Sequence, residues 1–206
     1  MPTQIIEGPA GTLETTIESP DSWSSTDPTA ICCHPHPLHG GSMQNKVVHI
    51  LAKTFVSLNA RVVRFNFRGV GQSTGEFAQG IGEREDLYAV YEWIKQQSAQ
   101  SPIWLAGFSF GAYVSIFCHE HINPQRLALV APPVDMYPDI KNIQIQTKDW
   151  LLIQGGQDEV VSSDAVHDWA EQQTIAPEQI YLEETGHFFH GQLNVVKERI
   201  LEVWQT

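Results

Sequence analysis

The chain has 206 residues, of which 42% are hydrophobic, and this is long enough for one domain with a substantial core. The formal net charge of −12 at pH 7 argues against nucleic acid and anionic membrane surfaces as partners, because both need clustered basic residues. No apolar run approaches the roughly 18 residues of a membrane span, and no basic segment precedes an apolar one at the N-terminus, so we expect neither a spanning helix nor a signal peptide.

The cysteines bear on the compartment in which the protein works. There are three of them, Cys32, Cys33 and Cys118, and two are adjacent in an apolar run that we predict to be a buried strand. An odd number in such positions is typical of free thiols rather than of a disulfide framework. We therefore expect a cytoplasmic protein.

Segments with the pattern of strands alternate with segments of helical spacing along the whole chain. Alternating or continuous β-branched and aromatic runs predict strands at Thr3 to Glu7, Thr12 to Ser19, Thr29 to Pro35, Arg61 to Phe67, Pro102 to Gly107, Arg126 to Pro133, Asp149 to Gly155 and Gln179 to Glu184. Helical periodicity predicts helices at Asn45 to Leu58, Glu83 to Gln97, Phe110 to His119, Ser163 to Gln173 and Asn194 to Trp204. This order predicts a single α/β domain over residues 1–206, with a mainly parallel sheet covered on both faces.

The segment from Gly107 to Gly111 reads Gly-Phe-Ser-Phe-Gly and matches the pattern G-x-S-x-G. It lies directly between a predicted strand and a predicted helix, where the pattern typically forms a sharp turn that exposes the serine. The helix N-terminus favours negative charge that develops beside it. We therefore predict that Ser109 is a nucleophile, with the backbone N–H of Phe110 as the first oxyanion donor.

A serine nucleophile needs a general base that is itself held by an acid, and in this architecture the chain order is serine, acid, histidine. Asp158 follows the strand that ends at Gly155, and His187 follows the last predicted strand. Since ligands bind at the carboxyl ends of parallel strands, these positions suit an active site. Asp158 is the predicted acid and His187 the predicted base.

Other residues compete for these roles. Asp135 is an alternative acid, and Glu159 is another, although we interpret it first as a solvated loop carboxylate. His190 is a rival base, but it lies further into the segment that follows the strand. The remaining histidines of the predicted helices, His49, His119, His121 and His167, are interpreted as surface or packing residues.

The stretch from Cys33 to Val48 is rich in histidine. His34, His36 and His39 form a candidate metal site, yet no cysteine or carboxylate joins them in the loop, and zinc sites need three or four convergent ligands. We favour a structured loop whose backbone supplies the second oxyanion donor, with imidazole hydrogen bonds holding the loop in place. Proline has no N–H to donate, which leaves His36 or Leu38, with His36 ahead because it lies closer to the strand.

Taken together, the segments HPHPLHGG, RFNFRGVGQSTGEF, GFSFGA, QGGQDEVV and GHFFHG resemble the α/β-hydrolase superfamily. Within it the chain is most similar to small members without a lid, related to the dienelactone-hydrolase and acyl-peptidase branches. The resemblance implies a sheet of eight strands, a Ser109–Asp158–His187 triad and a structural role for Arg68 in its loop. Only fifteen residues separate Pro133 from Asp149, too few for a helical lid. The dienelactone branch proper uses a cysteine nucleophile, so that activity is not expected.

The predicted function is that of a serine hydrolase that cleaves a small-molecule acyl ester or thioester through an acyl-enzyme, with no cofactor and no metal. An acyltransferase or a peptidase with the same triad is the nearest alternative, and a non-catalytic binding protein on the same fold is another. Nucleotide binding is not expected, because the glycine-rich stretches lack the Lys-Ser/Thr ending of a P-loop. The residues Phe108, Phe110, Met136, Tyr137, Phe188 and Phe189 adjoin the motifs, and we interpret them as core before acyl site.

Overall fold

A computed structural model describes residues 3–205, and within them eight strands form one twisted sheet in the order β1-β2-β4-β3-β5-β6-β7-β8. The strands are β1 (Thr3–Gly8), β2 (Gly11–Glu18), β3 (Thr29–Cys33), β4 (Arg61–Phe65), β5 (Ile103–Phe108), β6 (Arg126–Val130), β7 (Asp149–Gly155) and β8 (Glu178–Leu182). The first two form an antiparallel hairpin that adds to β4 in antiparallel fashion, and β3 to β8 pair in parallel. The predicted α/β fold is confirmed.

The helices pack on both faces of this sheet. They are α1 (Lys46–Ser57), α2 (Ile81–Gln97), α3 (Phe110–Ile122), α4 (Ser163–Glu171) and α5 (Leu193–Trp204). Apolar residues of α1 and α5 share one buried cluster with alternate residues of the central strands, and those of α2, α3 and α4 share the other. In β5, for example, Leu105 belongs to one cluster and Ala106 to the other, as expected for a strand buried on both faces.

Several strands end earlier than their apolar runs predict. The run to Pro35 leaves the ladder at Cys33, the run to Phe67 leaves it at Phe65, and the run to Pro133 leaves it at Val130. The residues beyond these ends stay buried, but not all of their backbone groups bond to a strand. The N–H of Phe67, for instance, donates to the ring of His34 at 3.0 Å rather than to a strand. An apolar run therefore predicts here which residues are buried, and not where the hydrogen-bonded strand ends.

Helices α2 and α3 each differ from the prediction at one end, for reasons that lie in the caps. Helix α2 begins at Ile81 rather than Glu83, because the Glu83 carboxylate accepts hydrogen bonds from the N–H groups of Ala78 and Gly80 at 2.8 and 2.7 Å and closes the first turn. Helix α3 continues past His119 to Ile122 and ends where Asn123 takes a left-handed conformation, with φ 48°.

The segment between β6 and β7, where a lid would be inserted, is short. Residues 131–148 contain a single 3-10 turn at Pro138–Ile140 and otherwise run as loop. The carboxyl edge of the sheet is therefore not covered by a helical lid within the described residues, as expected. Over residues 3–205, no helix combines the length and the apolar character that a membrane span requires.

Candidate active site

Ser109 occupies a strained turn between β5 and α3. Its φ of 54° and ψ of −118° lie in a region that non-glycine residues rarely adopt, and its N–H donates to Val130 O at 2.8 Å. The flanking glycines are required by space, since a Cβ at Gly107 would lie 2.2 Å from Gly111 O and one at Gly111 would lie 2.3 Å from Cys33 O. The turn predicted from the sequence is present.

Three side chains predicted from chain order meet at this turn. Ser109 Oγ lies 3.1 Å from His187 Nε2, and His187 Nδ1 lies 2.8 Å from Asp158 Oδ2. The carboxylate is the acceptor for Nδ1–H, so Nε2 is left with a lone pair directed at the serine hydroxyl. Because His187 is only 2% exposed, little water competes for these contacts. The arrangement can accept a proton from Ser109.

The loop after β7 holds the Asp158 carboxylate. Its Oδ1 accepts the backbone N–H groups of Val160 and Val161 at 2.9 and 2.8 Å. Burial alone would raise the pKa of Asp158, but the hydrogen bond from His187 and those backbone donors outweigh it, so the pKa lies below the usual value. Asp158 is therefore ionised at neutral pH.

The competing acids and the competing base make other contacts. Our interpretation of Glu159 as a solvated loop carboxylate is wrong in part: it is exposed, but its Oε2 accepts the backbone N–H of His187 at 3.1 Å and fixes that loop. Asp135 accepts the N–H of Ser162 at the start of α4 at 3.2 Å and does not reach His187. His190 is exposed and contacts the ring of Phe188.

His34 holds the loop after β3 in place, as expected of an imidazole there. The ring is fully buried; its Nε2 accepts the N–H of Phe67 at 3.0 Å and its Nδ1 donates to Pro35 O at 2.6 Å. Burial lowers its pKa from 6.5 to about 4, so the ring is neutral at pH 7. Both ring nitrogens are already bonded, which makes His34 unsuitable as a metal ligand. Among residues 3–205 no three histidine, cysteine or carboxylate side chains converge on a possible ion.

The two candidates for the second oxyanion donor differ in their hydrogen bonds. The N–H of Leu38 donates to the Nδ1 of the His36 side chain at 3.2 Å, and Leu38 is 69% exposed. The N–H of His36 has no acceptor among the hydrogen bonds of residues 3–205. The centroid of the His36 ring lies 5.0 Å from that of Phe110, the first residue of α3. The structure brings His36 and Phe110 to one side of Ser109 and turns Leu38 outward.

A cavity of about 440 Å³ opens beside Ser109. Its lining includes His36, His39, Met136, Tyr137 and Phe188, and no lysine, arginine, aspartate or glutamate lines it among the described residues. Met136 and Phe188 are exposed at the mouth, whereas Phe108 and Phe189 are core residues, so our interpretation of the flanking aromatic residues as core is correct only for some of them.

Two further features surround the site. Arg68, assigned a structural role by resemblance, bonds the buried Asp86 through both Nε and Nη2 at 2.8 to 3.1 Å and through its own N–H at 2.9 Å, which ties the loop after β4 to α2. Sequence reasoning missed Gln154, whose Nε2 donates to Asp158 Oδ2 at 3.1 Å. The available signal was a polar residue inside the otherwise apolar run of β7.

A family model of known proteins matches the central part of the chain. Residues 32–151, more than half of the chain, match the family model described as serine aminopeptidase, S33. The chain belongs to this family of α/β hydrolases. The match spans the stretch from β3 to β7, which includes the turn at Ser109 but ends before Asp158 and His187.

Solved structures extend the similarity over the whole chain. An α/β serine hydrolase homologue from Coxiella burnetii is 44% identical with a TM-score of 0.92, over 98% of this chain and 96% of that one. XC6422 from Xanthomonas campestris, described as an α/β serine hydrolase without lid, is 40% identical with a TM-score of 0.94, over 99% and 93% of the two chains. An uncharacterized protein of Rickettsia prowazekii, RP471, is 37% identical over 82% of this chain and 71% of its own length.

Proposed function

We propose that this hydrolase cleaves small acyl esters or thioesters through an acyl-enzyme on Ser109. The observation that carries the proposal is the continuous line of contacts from Ser109 Oγ through His187 to Asp158, at 3.1 and 2.8 Å. Ser109 and His187 also line the cavity described above. Each member of the line has the partner that its role requires. No cofactor or metal enters the proposal.

The reaction begins when Ser109 Oγ attacks the substrate carbonyl and His187 Nε2 takes the hydroxyl proton. Asp158 keeps the imidazole in the tautomer that can accept this proton and stabilises the positive charge that forms. His187 then gives the proton to the leaving alcohol or thiol. Water, activated by the same histidine, hydrolyses the acyl-enzyme and restores Ser109.

The negative charge on the carbonyl oxygen needs two donors, which we assign to the N–H groups of Phe110 and His36. Phe110 begins α3, so its N–H is free of helical partners and lies at the positive end of the helix. His36 is preferred over Leu38 because the Leu38 N–H is already engaged by the His36 ring. Each preorganised donor of this kind is worth several kcal/mol in the transition state.

The cavity favours a neutral substrate. No lysine or arginine among residues 3–205 lines it to receive a carboxylate or phosphate, and no aspartate or glutamate lines it to receive the ammonium group of a peptide N-terminus. An aminopeptidase would need the second of these, so an uncharged ester or thioester fits the lining better. The apolar walls at Met136, Tyr137 and Phe188 support an acyl or aryl group.

The three cysteines are buried free thiols, which supports the cytoplasmic location that we propose for the enzyme. A non-catalytic binding role on the same fold is less well supported, since a binding site has no need of a serine held at φ 54° against a buried histidine.

The test is covalent labelling of the purified protein with a fluorophosphonate. We expect stoichiometric labelling at Ser109 in the wild type, and its loss in Ser109→Ala and His187→Ala. His190→Ala is the matched control, because this neighbouring exposed histidine lies outside the line of contacts, and it should label as the wild type does. A folded wild type that does not react refutes the proposal. p-Nitrophenyl esters and acyl thioesters of increasing chain length then define the substrate.

A further inference from the structure

Gln154 is a buried polar residue next to the carboxyl end of the otherwise apolar strand β7. It is 3% exposed, and its Nε2 lies 3.1 Å from both Asp158 Oδ2 and Gly155 O. Its Oε1 is also buried and has no hydrogen-bond partner among the described residues. A buried oxygen without a partner disfavours folding, so an apolar residue would serve the strand better if packing were the only demand.

The orientation of the Gln154 amide follows from its neighbours. Both atoms within hydrogen-bond distance, the Asp158 carboxylate oxygen and the Gly155 carbonyl oxygen, are acceptors. Rotating the amide by half a turn would point its own oxygen at two other oxygens, one of them charged, and this is unfavourable. The N–H group therefore faces Asp158, and the unpaired Oε1 is the consequence of that choice.

We propose that Gln154 is a positioning residue for the catalytic acid, holding Asp158 Oδ2 where it accepts His187 Nδ1–H and limiting the basicity of the carboxylate. This inference rests on the function proposed above. The backbone donors of Val160 and Val161 bond only Oδ1. His187 Nδ1 lies nearer to Oδ2, at 2.8 Å against 3.1 Å for Oδ1, and among the described residues Gln154 is the other donor to Oδ2. Without it the carboxylate is free to turn about the Oδ1 contacts, and its negative charge is shared with fewer donors.

Two nearly isosteric substitutions test the proposal. Gln154→Met removes the donor, whereas Gln154→Glu places a carboxyl group beside Asp158, and burial and the like charge keep that group protonated as a donor to Oδ2. The acid limb of the pH profile should therefore stay close to that of the wild type in Gln154→Glu. In Gln154→Met Asp158 attracts the protonated imidazole more strongly, so the acid limb moves to higher pH by several tenths of a unit. We also expect kcat at the optimum to fall roughly threefold to tenfold, the equivalent of one hydrogen bond, while KM stays unchanged.

The measurement is the pH dependence of fluorophosphonate labelling and of kcat/KM for a short p-nitrophenyl ester, with folding checked by circular dichroism. Other titratable groups near the pair are Glu159 on the His187 backbone, His167 and Tyr181 beside Gln154, and His36 and His39 across the cavity. All of them are present in the wild type and both variants, so a displacement between the curves reports the Gln154 contact.

Gln173→Met is the matched control. This glutamine is also buried, accepting the N–H of Ile145 at 2.8 Å and donating to Ile143 O at 3.2 Å, but it belongs to the loop against α4 and has no bond to the site residues. It should lower the unfolding midpoint and leave the acid limb in place. Acid limbs that coincide with the wild type in folded Gln154→Met overturn the inference, whether or not Gln154→Glu folds. A wild type that does not label at Ser109 overturns the proposed function as well.

Discussion

The assignment of the second oxyanion donor makes a prediction about a single backbone N–H. Replacing His36 by proline removes that group, and the φ of −53° at His36 already lies in the range that the proline ring imposes. The His36 carbonyl, which accepts from His39 and Gly41 at 3.1 and 3.0 Å, is retained. Loss of one preorganised donor lowers kcat by about 100-fold to 1000-fold, or about 3 to 4 kcal/mol, and this is the loss we expect.

Proline also removes the His36 ring, which contacts Phe77 and Phe110 and accepts the N–H of Leu38. His36→Ala is therefore the necessary control, because it loses the same ring but keeps the N–H. The ratio of kcat between His36→Ala and His36→Pro, measured with a soluble p-nitrophenyl ester, isolates the donor. Ser109 labelling and the thermal unfolding midpoint of each variant establish that the site remains folded.

Equal kcat values in the two variants would refute the assignment of His36. A parallel Leu38→Pro variant then decides between the candidates, because it removes the only other N–H that we considered in this loop. We expect Leu38→Pro to retain most of the activity, since its N–H serves the His36 ring and its side chain lies in solvent. A loss confined to Leu38→Pro would transfer the role to Leu38.

Three further predictions follow from the structure. Burial lowers the pKa of His34 from 6.5 to about 4, so the unfolded chain binds a proton in this pH range that the folded chain does not. The free energy of unfolding should therefore fall by about 3 kcal/mol as the pH drops from 6.5 to about 4. Urea titrations at several pH values should show this fall in the wild type and not in His34→Gln. Gly111→Ala places a Cβ 2.3 Å from Cys33 O, so we expect it to cost at least about 1–3 kcal/mol in a urea titration and to abolish labelling. An ester that carries a carboxylate should show kcat/KM about tenfold below that of its neutral analogue, because no lysine or arginine of the described residues lines the cavity and the net charge of the chain is −12. Equal values would contradict this.

The positions of the candidate site residues could be predicted because they follow from topology. In a parallel sheet the carboxyl ends of all strands lie at one edge. Residues as far apart in the chain as Ser109, Asp158 and His187 are therefore expected to lie close together once the strands are recognised. The glycine spacing around Ser109 added the local turn. Neither step required knowledge of side-chain packing.

The residues that escaped prediction depend on packing that no period or motif records. Glu159 lies next to the predicted acid, yet its carboxylate bonds the backbone of His187 because the loops after β7 and β8 pass close together. Gln154 is placed by strand alternation, which fixes its face but not its partner. The choice between Leu38 and His36 depends on which backbone N–H donates to the His36 ring, and this is visible only in three dimensions.

The apolar residues of the core and the polar residues of the site lie in different parts of the chain. The strands supply an apolar interior, and the strained turn at Ser109 is held because β5 is packed on both faces and α3 is packed against one of them. The polar residues that tune the chemistry lie in the first few positions beyond the strand ends, where backbone groups leave the ladder and become available as donors. His34, which bonds one loop to the next, and Gln154, which bonds the strand to the acid, connect these two regions. His36, Ser109, Phe110 and His187 line the open cavity, and its other lining residues lie outside the contacts that the proposed reaction needs.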